Sequence, residues 1–266
     1  FQVALIEHNG LSVEIARFRK DINDSEGRSS SADFDVTLNE DLARRDIACN
    51  AMAMDLNGLV FDPFNGMSDI EKHRIQFVGK ADDRIKEDPI RILRAIRIGM
   101  QSFEQPVFTD DTFHAILGAF GNEKENLGIV SQERITAELS KIFTLFSFRH
   151  LKNARLMSLL KELMCQECVF GSKWQDSCWF DQKNPHHDEA LHQHVFRMTS
   201  KLPNKLEFKL AGLLHDIAKP STQVLNPKTG FMRYIGHEVE SAISARELLT
   251  KMKFSNDVID KTVDLI

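Results

Sequence analysis

Over the first 66 positions apolar and polar residues alternate in short runs, and beyond Ser68 the apolar spacing changes to three and four. The opening reads as two strands joined at Asn9-Gly10, because both residues accept the positive φ that a two-residue hairpin needs. In the second strand, Val13-Glu14-Ile15-Ala16-Arg17-Phe18-Arg19, Glu14 falls on the face opposite the apolar set. Residues 20–35, with Asp, Asn, Gly and Ser29-Ser30-Ser31, predict a polar loop. Asn39-Glu40-Asp41 opens a predicted helix through Met54, followed by a turn and short strand at Leu56–Asp62 and a turn at Pro63-Phe64-Asn65-Gly66.

Further on, strand signals nearly vanish. Asp88-Pro89 predicts a helix to about Phe103, with Asp as N-cap and Pro at the first helical position. Thr109 or Asp110 starts another to Gly118, Ser131 caps a third through Phe146, and Arg149–Cys168 is a fourth. Residues 171–188 collect Gly, Ser, Asp and Pro and predict irregular chain. Helices are expected again near 189–201, 207–218, 237–252 and 255–266. The expected organisation is a mixed α and β part over 1–66, a helical part over 67–170 and an all-helical part over 171–266, an α+β chain overall.

Composition narrows the class. At 266 residues, two or three units are expected. Nineteen Phe against one Tyr and two Trp point to a Phe-rich core. No stretch is long and apolar enough to suggest a membrane span, and the start lacks the basic and cleavage features of a signal peptide. Four Cys without a regular framework suggest a reducing cytosol, hence a cytoplasmic protein. A net charge of −5 argues against nucleic-acid binding over the whole surface but leaves room for a local basic groove.

Three clusters offer chemistry. An apolar helix carrying Leu210, Ala211, Leu213 and Leu214 ends in the adjacent pair His215-Asp216. Buried polar groups there need partners. His194 stands in the preceding helix, near His186, His187 and His192, and His237 begins the following one. Imidazoles and a carboxylate suit a first-row divalent metal, and an open coordination position can activate water. Lys219 could hold a phosphate oxygen. Scattered surface or satisfied core histidines are the plainer reading.

The second cluster is basic. Asp41-Leu42-Ala43-Arg44-Arg45-Asp46 runs into Asn50-Ala51, and an i, i+4 spacing puts Asp46 and Asn50 on one helix face. Arg91, Arg94 and Arg97 recur every three residues, while Ile90, Leu93 and Ile96 take another face. Asp88 beside Arg91 can present an acceptor and a donor to a base edge, or simply form an N-cap and ion pair; spacing does not separate the two. The third cluster, Cys165, Cys168 and Cys178 with His186 or His187, has zinc-ligand chemistry, but the two Cys of Cys165-x-x-Cys168 fit equally on one helix face.

Leu42-Ala43-Arg44-Arg45-Asp46-Ile47-Ala48-Cys49-Asn50-Ala51-Met52-Ala53, Phe61-Asp62-Pro63-Phe64-Asn65-Gly66, Glu87-Asp88-Pro89-Ile90-Arg91 and Ser131-Gln132-Glu133-Arg134 through Glu138-Leu139 together resemble the class II tRNA nucleotidyltransferase (CCA-adding) and bacterial poly(A) polymerase family. The likeness covers residues 1–145, and the block at 187–266 resembles the HD domain of metal-dependent phosphohydrolases. It implies the end of a nucleotidyltransferase (polymerase-beta-like) palm, then a helical neck and body, then an all-helical HD domain. In that likeness Arg45, Asp46 and Asn50 bind ribose and phosphates of the incoming nucleotide. Asp88 and Arg91 read the base of CTP or ATP, with Arg94 beside them. Glu14 matches a strand position near the catalytic carboxylates. His194, His215, Asp216 and His237 are implied as metal ligands. Mg2+ is implied for nucleotidyl transfer, and Ni2+, Mn2+ or a similar ion for the HD site.

The implied partners are tRNA, CTP and ATP, with no membrane, and a homodimer is left open. Poly(A) addition, partial CC or A addition, and a catalytically silent RNA-binding module are the alternatives. The family's first motif, a Gly-Gly-x-Val-Arg-Asp turn followed by an Asp-x-Asp pair, does not occur here and is expected upstream of Phe1. Ile47-Ala48-Cys49 stands where the family usually has Phe-Thr-Ile. The HD site's last ligand, a later Asp or second His, is left undecided by Asp260 and Asp264.

Overall fold

Asn9 and Gly10 take φ values of 49° and 76°, and the chain reverses there as expected. The computed structural model describes residues 3–23, 29–122, 126–178, 180 and 190–266. Strands β1 (Val3–His8) and β2 (Leu11–Ala16) pair antiparallel with Leu5 opposite Glu14, and every residue of both is exposed. The polar segment after them is not simply a loop. Its described residues form β3 (Lys20–Asn23) and β4 (Ser29–Asp33), an antiparallel pair. The entry to β3 is anchored to α1 (Leu38–Ala43): the Arg19 N–H donates to Asp41, and the Arg19 carbonyl accepts from Arg44 Nε at 2.9 Å.

Helix α1 has a capping box, Thr37 with Glu40, but it ends after six residues instead of reaching Met54. Ile47 is the reason. It is fully buried and bridges Phe77, while the Ala48 N–H donates to the Gln76 carbonyl and the Val78 N–H to the Asp46 carbonyl. Burying Ile47 against Ile75 and Phe77 outweighs another helical turn, and only a 3-10 turn at Ala48–Asn50 remains. A small hairpin, β5 (Ala53–Met54) and β6 (Val60–Phe61), leads to α2 (Gly66–Glu71). Asp62 accepts from the Gly66 and Met67 N–H groups at that helix start. A Cβ on Gly66 would sit 2.4 Å from the Ala48 carbonyl, so only Gly allows this approach.

Strands do persist past Ser68. β7 (Arg74–Ile75) pairs in parallel with β8 (Val107–Phe108), a contact two residues long that no periodicity could reveal. Between them lie α3 (Ala81–Glu87) and α4 (Arg91–Ser102). Asp88 closes α3 and does not cap α4, whose N-cap position is Ile90. Helices α5 (Asp110–Phe120) and α6 (Gln132–Leu145) follow near their expected places, though Ser131 makes no side-chain cap hydrogen bond. The expected helix at 149–168 is split into a 3-10 turn at Phe148–Lys152 and α7 (Ala154–Met164), capped by Asn153. Next, α8 (Glu167–Cys178) crosses ground expected to be irregular, breaking its geometry at Gly171, φ 74°. Buried Val169, Phe170 and Trp174 fasten it to the core.

Helices α9 (Leu191–Lys201) and α10 (Leu206–Leu214) pack together. A Cβ on Gly212 would lie 2.5 Å from Leu202 and 3.2 Å from the Thr199 backbone, so Gly sets how close they come. Lys209, with no exposed surface, donates from Nζ to the carbonyls of Thr199 and Leu202 at 3.0 and 2.9 Å, satisfying the end of α9. The C-terminal part is not all-helical. A hairpin of β9 (Gln223–Leu225) and β10 (Met232–Tyr234) precedes α11 (His237–Lys251) and α12 (Asn256–Leu265).

One apolar interior joins these elements. It runs from Ile47 and Phe77 through Leu93 and Ile96 of α4, Leu139 of α6 and Leu159 of α7 to Leu213, Leu249 and Ile259. Polar ties cross it: Arg97 of α4 pairs with buried Glu138 of α6 at 2.5 Å, and the Thr136 hydroxyl of α6 donates to the Met252 carbonyl after α11.

Candidate nucleotide cavity and metal centre

Where α1 stops, Arg44, Arg45 and Asp46 turn toward the start of α4. The resulting cavity of about 350 Å³ is lined by Arg19, Arg44, Arg45, Asp46, Ile47, Asn50, Asp88, Arg91, Arg94 and Arg134. All six residues expected at a nucleotide site are among them. Asp46 and Asn50 arrive there through a turn and a 3-10 helix, not along a helix face. Arg19, Arg44 and Arg134 are additions. Arg134 could have been found, since it lies one turn from Glu138 in the motif at Ser131, and Arg19 continues the alternation of the second strand.

The cavity is cross-braced by ion pairs. Arg91, 7% exposed, donates from Nε to Asp46 at 2.9 Å and from Nη1 to Glu87 at 2.6 Å and to the Arg84 carbonyl at 2.9 Å. Arg94 meets the other Asp46 oxygen at 2.5 Å. Asp88 takes Arg134 on Oδ2 at 2.6 Å. A carboxylate keeps acceptor capacity on its second oxygen, so Asp88 can still accept from a ligand. Four arginines beyond those bound to Asp46 make the lining strongly cationic, which suits a polyphosphate. Glu14 does not line this cavity; it stands exposed on β2.

The second centre forms where α10 ends. His215 occupies the C-cap position, and Asp216 beside it is 2% exposed. His194 of α9, His215 and Asp216 bring one ligand atom each within 4.8 Å of one another. His194 Nε2 is 3.5 Å and His215 Nε2 3.1 Å from Asp216 Oδ2, and His237 Nε2 is 3.3 Å from Oδ1. Lys219 Nζ stands 2.8 Å from Oδ2. His192 lines a different cavity of about 440 Å³ with Phe196 and Arg197, so His194 is the imidazole of α9 that joins the cluster.

The donor set fits a cation. Nδ1 of His215 faces the Gly212 carbonyl at 3.0 Å, and Nδ1 of His237 faces the Tyr234 carbonyl at 2.7 Å. A carbonyl only accepts, so each Nδ1 carries a proton and each ring turns its Nε2 toward Asp216. Lone pairs facing carboxylate oxygens repel unless a proton or metal lies among them. Oδ2 is buried, and none of its contacts reaches it with hydrogen-bond alignment. Burial alone would raise the Asp216 carboxyl, but His215 and Lys219 outweigh it and hold the group well below the usual carboxylate range.

The zinc reading gains no geometry. Cys165 is buried and Cys168 half-buried, neither in a disulfide. The Cys178 side chain, His186 and His187 lie outside the described residues.

Residues 1–76 match the Poly A polymerase head domain. The chain is 29% identical over 232 residues to the Multifunctional CCA protein of Pseudoalteromonas atlantica, covering 85% of this chain and 53% of that protein. It is 39% identical over 140 residues to the CCA-adding enzyme of Geobacillus thermodenitrificans, covering 52% of this chain and 33% of the relative. Its fold is similar to that of the Bacillus stearothermophilus CCA-adding enzyme in complex with CTP, with a TM-score of 0.50 at 23% identity, over 99% of this chain and 65% of that one. The chain thus spans between a third and about half the length of the two relatives matched by sequence.

Proposed function

The chain belongs to the class II CCA-adding enzyme family, and from that premise we propose that it supplies the base-reading and phosphate-binding part of an enzyme that adds C, C and A to the 3′ end of tRNA from CTP and ATP. The convergence of Asp88, Arg91, Arg45, Asp46 and Asn50 on one cationic cavity carries the reading. CTP and ATP share an exocyclic amine next to a ring nitrogen with a lone pair. Asp88 accepts from the amine, and Arg91 donates to the ring nitrogen. UTP and GTP present a carbonyl and an N–H there, the reverse pattern, and meet like against like. Arg45 and Asn50 hold the ribose and phosphates. Mg2+, when bound, would supply charge neutralisation for the phosphates.

Equilibrium binding of the four triphosphates tests the reading. CTP and ATP are expected to bind at least about tenfold tighter than UTP and GTP, the scale of one mispaired polar edge. Asp88→Ala is expected to erase that preference while leaving phosphate-driven affinity. A variant that still selects CTP and ATP overturns the template assignment. Long A tails from the protein that carries this chain, on any RNA, would favour poly(A) addition instead.

The His-Asp cluster supports a second reading, an HD-type phosphohydrolase acting on 2′,3′-cyclic phosphates, 2′-phosphates or phosphomonoesters. His194, His215, Asp216 and His237 would hold a transition metal such as Ni2+ or Mn2+, whose chemistry is activation of water. Lys219 holds a phosphate oxygen as a point charge. His215→Ala is expected to abolish metal-dependent hydrolysis of 2′,3′-cyclic AMP without changing triphosphate binding; unchanged hydrolysis refutes the site.

A further inference from the structure

Lys219 follows the His-Asp pair by one turn, and His237 opens α11; the β9–β10 hairpin lies between them in sequence. Tyr234, the chain's single tyrosine, ends β10 and touches both. Its carbonyl accepts from His237 Nδ1 at 2.7 Å. Its ring lies under the Lys219 ammonium, 5.6 Å from Nζ to the centroid. Phe180 braces that ring edge-on, at 5.9 Å and 73°. The Lys219 turn is itself pinned to α11, because the Ala218 N–H donates to the Ser241 hydroxyl at 3.1 Å.

Lys219 is 6% exposed, and its Nζ is 2.8 Å from Asp216 Oδ2. A divalent cation held by Asp216 would repel an ammonium from that oxygen. The electron-rich face of an aromatic ring within about 6 Å is a second seat for the same ammonium, still inside the centre.

We propose that Tyr234 is a positioning residue of the His-Asp centre: its ring face seats the Lys219 ammonium for a phosphate oxygen, while its carbonyl fixes the imidazole of His237. The inference rests on the phosphohydrolase reading. It divides the residue into two roles that separate by mutation. The carbonyl survives any substitution, so the metal set persists; the ring face survives only in another aromatic.

Calorimetric titration of the Mn2+-loaded chain with inorganic phosphate tests this, alongside Mn2+ titration of each variant. Tyr234→Leu is expected to weaken phosphate binding about fivefold or more and to leave Mn2+ affinity within about threefold. Tyr234→Phe is expected to bind phosphate within about twofold of the parent chain. Lys219→Ala should weaken phosphate at least as much as Tyr234→Leu, and adding Tyr234→Leu to it should cost nothing more. Undiminished phosphate binding by Tyr234→Leu, a phenylalanine variant as weak as the leucine one, or additive losses would overturn the proposal. Loss of Mn2+ along with phosphate in Tyr234→Leu would overturn it too, since the ring would then be packing only. A parent chain that takes up no Mn2+ retires both readings. If phosphate binds as expected but 2′,3′-cyclic AMP is not hydrolysed, the hydrolase reading fails and the role of Tyr234 stands.

Discussion

His150 sets an acid limit on the fold. It lies in the 3-10 turn between α6 and α7, has no exposed surface and stacks on Phe146 with ring centroids 6.1 Å apart. Donors face both ring nitrogens: the Ser147 N–H at Nδ1, 3.1 Å, and Arg149 Nε at Nε2, 3.2 Å. The Met100 backbone favours a second ring proton, but burial opposes it more strongly. Burial, helped by the charges of Arg149 and Lys209, pushes its pKa from 6.5 down to about 4. A histidine depressed in the folded state binds its proton more readily when unfolded. Its stabilising effect is therefore complete above the unfolded value of 6.5 and is lost as pH falls toward about 4. That interval corresponds to about 3 kcal/mol, a large fraction of a typical domain's stability. Asp216, held low as well, acts in a separate window, since its contribution is lost only below its ordinary value of 3.8. Urea unfolding of the parent chain and of His150→Phe between pH 7 and pH 4 is the assay. The variant keeps the stacked ring and drops the titration, and the other histidines cancel in the comparison. The parent chain is expected to lose about 3 kcal/mol more than the variant over this range. Parallel curves, or an NMR titration that puts His150 near 6.5, would refute the reasoning.

Two further substitutions test the frame under the metal centre. Gly212→Ala pushes a methyl against Leu202 and the Thr199 backbone and is expected to cost about 1–3 kcal/mol in thermal or urea unfolding. Because α9 carries His194 and α10 leads into His215-Asp216, Mn2+ affinity should fall with it; an unchanged melting point and affinity would show that the helices can part freely. Lys209→Met strips two buried carbonyls at the end of α9 of their donor and is expected to destabilise by about 1–3 kcal/mol, so a more stable variant would mean the buried ammonium costs more than it returns.

The residues that line the basic cavity could be grouped from the sequence, in part because the spacing of Arg91 and Arg94 survives folding. Arg91 and Arg94 do share a face of α4 that meets Asp46. Asp46 and Asn50 were grouped by a helical spacing that the chain does not adopt, since Ile47 is drawn into the core and the helix ends before it. Long helices with apolar stripes were legible, including α9, α11 and α12. The two-residue β7–β8 contact and the three-residue β9 and β10 were not, because they carry too few positions to display a period of two. Missing that hairpin hid Tyr234. Helix α8 was hidden by Gly171, which reads as a breaker and does break the helix geometry while the backbone carries on. At the candidate metal centre His194, His215, Asp216 and His237 were named from the sequence, His194 through the family resemblance, and the structure adds that His194 faces Asp216 while His192 lines a separate cavity.

Ile47 under the basic cavity and Leu213 beside the His-Asp pair belong to the same unbroken apolar interior. Heat should therefore dismantle both centres in one transition instead of silencing them in turn. The same continuity shapes how mutations are tolerated. A packing lesion beneath either centre lowers the share of folded molecules, and so weakens both proposed activities together. Variation that separates the two must come from the rims, at residues such as Arg134 and Tyr234, where a side chain can change without disturbing what both stand on.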